Sequence, residues 1–352
     1  MELQSIAETF NKKYGDKTVS FGGRISQDFP RIPCGVFPVD FCLGGGLPHG
    51  RTSSVFGPPT GGKTTLAILY MIGAARICWR CYKYKWQCTC KMKEPLIKKS
   101  VLIDTEGAFD YDWACSLGLK DEDYVLVLPE TGESAVDIAE SCMRAEDCGF
   151  LVIDSLASLE PSVELDASAE DMQIGLQARL IAKLFRKVTS RIIGERKKGN
   201  MHAALFINQV RVKIGQHFGN PEDSAGGFAP KFAYSLAFRL GARRKENEDH
   251  ESLARTALTI KKHKLRVLAR RAEYVIAKEN GEGYKVGDVV DGPTTIKFAT
   301  DIGLIRAVDK KWLLGKKEFA RKGDIITFLA ENPEKFLSLK QLIIEMYKRE
   351  HM

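Results

Sequence analysis

The chain has 352 residues, 44% of them hydrophobic and 28% charged, with a formal net charge of +8. That balance belongs to a water-soluble globular protein of two domains, or of one with appendages, and no apolar run reaches the length of a membrane span. The first residues lack a signal-peptide core, so a cytoplasmic setting is expected, where nine cysteines point to free thiols or metal rather than disulfides.

Residues 1–31 read as an arm. Leu3, Ile6, Ala7, Phe10 and Tyr14 recur at helical spacing, and Thr18-Val-Ser-Phe21 is a candidate short strand. One helix and one strand make no core of their own, so the arm must pack on its own subunit or on a neighbouring copy. A turn-rich lead-in over 32–50 delivers the chain into a strand over 51–56. The loop Gly57-Pro58-Pro59-Thr60-Gly61-Gly62-Lys63-Thr64 follows, and a helix leaves it at Thr65. This is G-x-x-x-x-G-K-[ST]. Its small residues let backbone N–H groups curl around a polyphosphate, Lys63 reaches the β and γ oxygens, and the Thr64 hydroxyl faces Mg2+. A nucleoside triphosphate is the expected ligand.

An insertion over 76–99 carries Cys78, Cys81, Cys88 and Cys90 as C-x2-C-x6-C-x-C. Thiolates this close repel one another unless a soft cation neutralises them, so a structural, tetrahedral Zn2+ is expected. Trp79, Tyr82, Tyr84 and Trp86 interleave with lysines and arginines, a mixture that suits single-stranded nucleic acid and equally a partner surface.

Strands over 100–104, 124–128, 150–154 and 203–208 alternate with helices near 112–117, 133–147 and 172–195, which predicts a parallel sheet covered on both faces. Beyond 230, strands 235–240, 257–260 and 272–276 are expected to extend it antiparallel. The tail from 283 is expected to be helical, with its clearest helices over 319–330 and 337–348.

Candidate chemistry gathers at strand ends. Asp154 would hold Mg2+ beside Thr64. Glu106, or Asp104 on the same strand end, could orient and deprotonate an attacking water. Gln209 is an amide able to sense a γ-phosphate. The segment 209–227 is long and Gly-rich, ending in Gly226 and Gly227. Within it Arg211 and Lys213 can neutralise phosphates, while Ile214 and Phe218 can wedge between bases. Lys262 and Lys264, two apart on a strand, share a side and suit clasping a phosphate.

In chain order, Leu43-Gly-Gly-Gly-Leu-Pro-His-Gly-Arg51, the phosphate loop, Ile103-Asp-Thr-Glu-Gly-Ala-Phe-Asp110 and Val152-Ile-Asp-Ser155 resemble the RecA-type recombinase family. So do Phe206-Ile-Asn-Gln-Val-Arg-Val-Lys-Ile-Gly215 and, most specifically, Phe218-Gly-Asn-Pro-Glu-Asp-Ser-Ala-Gly-Gly227. The resemblance implies an α/β fold: a RecA-like P-loop ATPase core over 32–282, its mostly parallel sheet flanked by helices. A helix-strand oligomerisation arm over 1–31 and a small helical domain over 283–352 would complete it. It further implies ATP and Mg2+ as cofactors. The activity would be that of a DNA-dependent ATPase that forms a filament on single-stranded DNA and exchanges strands with homologous duplex.

Carried onto this sequence, the resemblance makes Glu106 the catalytic base and Gln209 the γ-phosphate sensor at the head of a DNA loop. Asp110 and Trp113 would lie near the adenine. Residues 164–174 would be a first DNA loop, with Ile174 as base-step wedge and Arg179 and Arg186 near phosphates. Lys231 and Phe232 would lie at the subunit boundary, and Lys262 and Lys264 would reach ATP on the neighbouring subunit. Two features depart from the family: the Cys-rich insertion, where bacterial members have a short turn, and the ending Tyr347-Lys-Arg-Glu-His-Met352, without an acidic tail. Two rival readings remain. A hexameric replicative helicase on the same core would form closed rings. A non-catalytic recombination mediator or paralogue would bind ATP but serve as scaffold, a reading that the intact Lys63, Thr64, Glu106 and Asp154 argue against.

Overall fold

Six parallel strands make up most of a ten-stranded sheet. They are β1 (Thr52–Gly57), β2 (Lys99–Asp104), β3 (Tyr124–Val127), β4 (Cys148–Asp154), β5 (Ala203–Val212) and β6 (Leu236–Leu240). Two antiparallel strands, β7 (Leu253–His263) and β8 (Arg271–Ala277), extend one side, giving the order β8–β7–β6–β1–β5–β4–β2–β3. This computed structural model describes residues 2–14, 19, 21, 29–90, 94–163, 175–212, 222–224, 232–241, 244–245, 252–281 and 283–351. β4 is buried along its whole length, which is why its sequence is a continuous apolar run rather than an alternating one.

The sheet is covered on both faces, as its apolar strands require. One cluster packs the helix Lys63–Ala75 and the insertion's Trp79 and Tyr84 on one face. Another packs the helices Gly132–Cys142 and Leu176–Lys197 on the other. Gly149 in β4 is glycine because a Cβ there would sit 2.5 Å from the Trp79 ring. The indole thus lies directly on the strand backbone and anchors the insertion to the core.

Three expectations need correction. β6 runs parallel to β1, not antiparallel; beyond it β7, β8 and the short Arg244–Lys245 extend the sheet antiparallel. β5 does not stop at Asn208 but continues to Val212 and pairs antiparallel with Glu222–Ser224, so the supposed loop 209–227 begins as a hairpin stem. The tail is not purely helical. Helices Gly292–Asp301, Lys322–Ala330 and Pro333–His351 accompany a three-stranded meander of Ile305–Val308, Lys311–Leu314 and Lys317–Phe319. Phe319, expected to start a helix, ends a strand. The core of this unit is completed by Phe37 and Phe41 from the lead-in helix Phe37–Cys42.

Asp40 in that lead-in helix is buried, and its carboxylate accepts from the backbone N–H of Cys34 (2.9 Å) and Gly35 (2.8 Å). Burial outweighs these donors and Lys340 and pushes the carboxyl from 3.8 up to about 7. Between those values the folded chain keeps a proton that the unfolded chain releases. Stability at this site therefore falls as pH rises through the window, by at most about 1.4 kcal/mol per unit. His49, buried and held near 3, acts with the opposite sign: it costs stability as pH falls below 6.5. Thermal melts of wild type and Asp40→Asn between about pH 5.5 and 7 separate the two. The variant should lose the part of the slope that declines with pH; identical slopes would show that Asp40 does not titrate there.

The arm helix Leu3–Tyr14 forms as expected, with Leu3, Phe10 and Tyr14 exposed. Of the expected strand at 18–21, Val19 and Phe21 are described and lie in no strand, while Thr18 and Ser20 lie outside the described residues.

Candidate functional site

The phosphate loop joins β1, in the middle of the sheet, to the helix Lys63–Ala75 at the carboxyl edge of the parallel strands. A Cβ on Gly57 would sit 2.4 Å from the Leu240 carbonyl oxygen, so only glycine lets β1 leave the sheet here. Gly62 caps the helix with φ +82, a conformation open to glycine at no steric cost. The Lys63 ammonium donates to the carbonyls of Gly57 (3.2 Å) and Pro58 (2.8 Å), folding back across the loop. Burial lowers its pKa, opposed by the carboxylates of Asp154 and then Glu106.

The register sets Asp104 beside Asp154 at the ends of β2 and β4. Their partners differ. The Asp154 carboxylate accepts from the Thr64 hydroxyl at 2.5 Å. Burial pushes it up to about 6, aided by Glu106 and Asp104 and opposed by the Thr64 hydrogen bond and Lys63. A divalent cation between Thr64 and Asp154 would relieve that buried charge, so the donor set fits Mg2+. Asp104 instead accepts backbone N–H groups from Glu106 (3.0 Å), Gly107 (2.9 Å) and Phe109 (2.9 Å). It is the anchor of a turn, and its oxygens are occupied in aiming Glu106 outward.

Glu106 is exposed, and its Oε1 accepts from the Ser155 hydroxyl at 2.5 Å and from the Gln209 amide at 2.8 Å. Gln209 is level with Gly57 on the adjacent strand, so one amide spans phosphate loop, carboxylate and the hairpin leading to 213–221. Sequence reading passed over Ser155 and Thr105 as functional residues; the signal available was a hydroxyl residue directly flanking each strand-end acid. Asp110 caps the helix Tyr111–Leu117 through the Trp113 N–H (2.9 Å), and the Trp113 indole N–H donates to Thr65 Oγ1 (3.1 Å). Both predicted adenine neighbours are thereby tied to the helix that follows the phosphate loop.

Lys262 and Lys264 are not brought to this site. Lys262 pairs with Ala237, which is level with Ser54, the third residue of β1, and the Lys264 N–H bonds Ser235, one residue before β6. Gly57 is three residues further on, roughly 10 Å along the strand and about two strand spacings of 4.8 Å across. Both lysines therefore lie at the amino edge of the parallel strands, out of reach of their own phosphate loop. Lys264 donates to the Phe232 carbonyl at 3.1 Å, and the Phe232 side chain is 74% exposed. Arg179 and Arg186 are exposed two turns apart on the helix Leu176–Lys197, with Lys183 between them. Ile174, Lys231, Lys213, Ile214, Phe218, Gly226 and Gly227 lie outside the described residues, and only the backbone of Arg211 is described.

The four insertion cysteines converge. Their sulfurs all lie within 4.8 Å of one another, with Cys78–Cys90 at 3.9 Å and Cys81–Cys88 at 3.7 Å. A tetrahedron with Zn–S bonds of about 2.3 Å has edges of about 3.8 Å. The Leu96 N–H also donates to Cys78 Sγ at 3.4 Å, which steadies a thiolate. The aromatic residues around them do not face outward. Trp79 and Tyr84 are buried, and Tyr82 packs on His49 with ring centroids 4.6 Å apart. Trp86 stacks on Tyr84 and donates its indole N–H to Ser338 Oγ at 3.1 Å. These rings are spent on the sheet core, on His49 and, through Trp86, on the C-terminal unit, so the base-stacking reading of this motif is not supported. Arg80, Lys83, Lys85 and Lys99 remain exposed.

Comparison with known proteins adds a family. A model described as the RecA N-terminal domain matches residues 1–81 and 87–283, leaving five residues inside the cysteine insertion unmatched. Protein RecA of Syntrophus aciditrophicus is 34% identical over 324 residues, covering 90% of this chain and 84% of that protein. Protein RecA of Nitratidesulfovibrio vulgaris is 32% identical over 350 residues, covering 97% and 89%. A crystal structure of the RadB recombinase superposes with a TM-score of 0.50 at 20% identity, over 70% of this chain and 96% of that one; it speaks for the fold. Among the described residues no helix is long and apolar enough to cross a membrane.

Proposed function

Since the chain belongs to the RecA family of recombination proteins, we propose that it is a DNA-dependent ATPase whose copies stack head to tail on single-stranded DNA and exchange it with a homologous duplex. The observation that carries this reading is the placement of Lys262 and Lys264 at the edge of the sheet opposite the phosphate loop. A nucleotide held by Gly57 to Thr65 can meet those cations only if a second copy supplies them. Such a heterologous contact generates an open helical polymer unless its rotation closes into a ring. Two uncovered surfaces suit the same contact. The arm leaves Leu3, Phe10 and Tyr14 exposed, and among the described residues β3 is a sheet edge, with Val125, Leu126 and, just past it, Leu128 exposed. A bare strand edge is a template for another chain.

Within each site Lys63 and the loop N–H groups would hold the triphosphate, while Thr64 and Asp154 would hold Mg2+, which neutralises charge developing on the phosphates. Asp110 and Trp113 would border the adenine. Glu106 would take the proton of the attacking water, and Gln209 would pass the presence of the γ-phosphate into the hairpin it begins. Arg179, Arg186 and Arg211 would meet DNA phosphates, together with Lys213, Ile174, Ile214, Phe218, Gly226 and Gly227 on the two loops. The four cysteines would hold a structural Zn2+. Residues 1–31, 32–282 and 283–352 then act as arm, motor and accessory unit.

Electron microscopy with single-stranded DNA and a slowly hydrolysed ATP analogue tests the reading. Extended helical filaments are expected. Closed hexameric rings would favour a helicase, and particles that stay monomeric at high protein concentration would remove the proposal.

A further inference from the structure

Donors from two strand ends converge on a single oxygen of Glu106. Oε1 accepts from Ser155 Oγ at 2.5 Å and Gln209 Nε2 at 2.8 Å, with Ser158 Oγ at 3.5 Å, while no hydrogen bond from the described residues reaches Oε2. The two close donors are held very differently. Ser155 is fully buried, and its backbone is clasped from both sides by the Thr105 hydroxyl. That hydroxyl accepts from the Ser155 N–H at 2.9 Å and donates to the Ser155 carbonyl at 2.8 Å. The Thr105 N–H also donates to the Asp154 carbonyl at 2.7 Å, so β2 and β4 are stitched together immediately behind the carboxylate. Gln209, by contrast, stands on the strand that leads into the hairpin at 210–212 and 222–224 and is only partly buried.

We propose that Ser155 is a positioning residue for the ATPase step: its hydroxyl pins Oε1 of Glu106 so that Oε2 is the oxygen presented to water, and it holds when Gln209 lets go. This rests on the reading of Glu106 as the base. In the step itself the water oxygen bonds the γ-phosphorus as the bond to the ADP oxygen breaks. The water's proton moves to Oε2, and Ser155 keeps its own hydrogen. Thr105 acts one step further back, by fixing Ser155. A general base contributes roughly a hundredfold to ten-thousandfold. A base free to rotate away should forfeit part of that and leave nucleotide binding intact.

The test is steady-state ATPase at saturating single-stranded DNA together with direct Mg·ATP binding. Ser155→Ala should lower kcat about 10–100-fold while KM and nucleotide affinity stay within about twofold. Ser155→Cys, a weak donor of similar shape, should fall between alanine and wild type. Thr105→Val should lower kcat in the same sense, by less. A Ser155→Ala enzyme with near-normal kcat would overturn the proposal, as would a loss confined to KM or binding, which would make Ser155 a prop for the Mg2+ site. A packing role predicts that cysteine, which refills the volume alanine leaves empty, behaves like wild type, and that result too would overturn it. Failure of the underlying reading looks different: Glu106→Gln would then turn over ATP normally.

Discussion

A one-to-one mixture of Glu106→Gln chains with Lys262→Ala/Lys264→Ala chains is expected to regain about a quarter of wild-type DNA-stimulated ATPase activity, although each variant alone loses roughly a hundredfold or more. The expectation follows from strand register. Lys262 is level with Ser54, and the loop begins at Gly57 on a strand two positions away. If a neighbour supplies the lysines, each working junction needs an intact Glu106 on one side and intact lysines on the other. Random stacking of the two variants provides that at about one junction in four. If the lysines served their own nucleotide, no chain in the mixture would be complete and activity would stay at the level of the separate variants. Glu106→Gln keeps the loop that binds ATP, so the mixture can still assemble.

Purified protein is expected to carry one zinc per chain, and Cys78→Ser/Cys81→Ser to lose it and melt roughly 5 °C lower. Structural zinc is worth about 10–16 kcal/mol in isolated peptides. Here the core already holds Trp79 and Tyr84, so only part of that is at risk. A loss of about 3–5 kcal/mol in a chain of this size corresponds to a shift of this order. The consequence should spread to the C-terminal unit, because Trp86 hydrogen-bonds Ser338 across the junction. Faster proteolysis within residues 283–352 of the variant would report that loosening. Metal analysis that finds no zinc in reduced protein, with an unchanged melting temperature in the variant, would leave the cluster as four thiols.

What the sequence revealed follows the range of the physics involved. The phosphate loop was legible because its chemistry is local: the glycines, Lys63 and Thr64 work on one turn of backbone. β4 was legible because burial on both faces erases alternation. The direction of β6 was not, since residues 236–240 look the same whichever way they run, and only the path from β5 decides it. The meander at 305–319 was missed because its strands are three or four residues long and carry lysines, too short for a period to show. Glu106 could be picked from its strand end, but its separation from Asp104 needed three backbone donors that only a folded turn brings together. The aromatic residues of the insertion suit nucleic acid or a partner surface equally in sequence because cation–aromatic alternation has no sense of inside, and their partners, His49 and Ser338, are far away in sequence.

A reaction centre split between two copies, as proposed, would make the polymer directional in time as well as in space. At one tip the last subunit would expose a loaded phosphate loop that no lysine pair covers, and its fuel would outlast that of every subunit behind it. The other tip would offer lysines with nothing to attend to. Growth and shedding would then occur at different tips, and a tract of DNA would be coated and cleared in the same order.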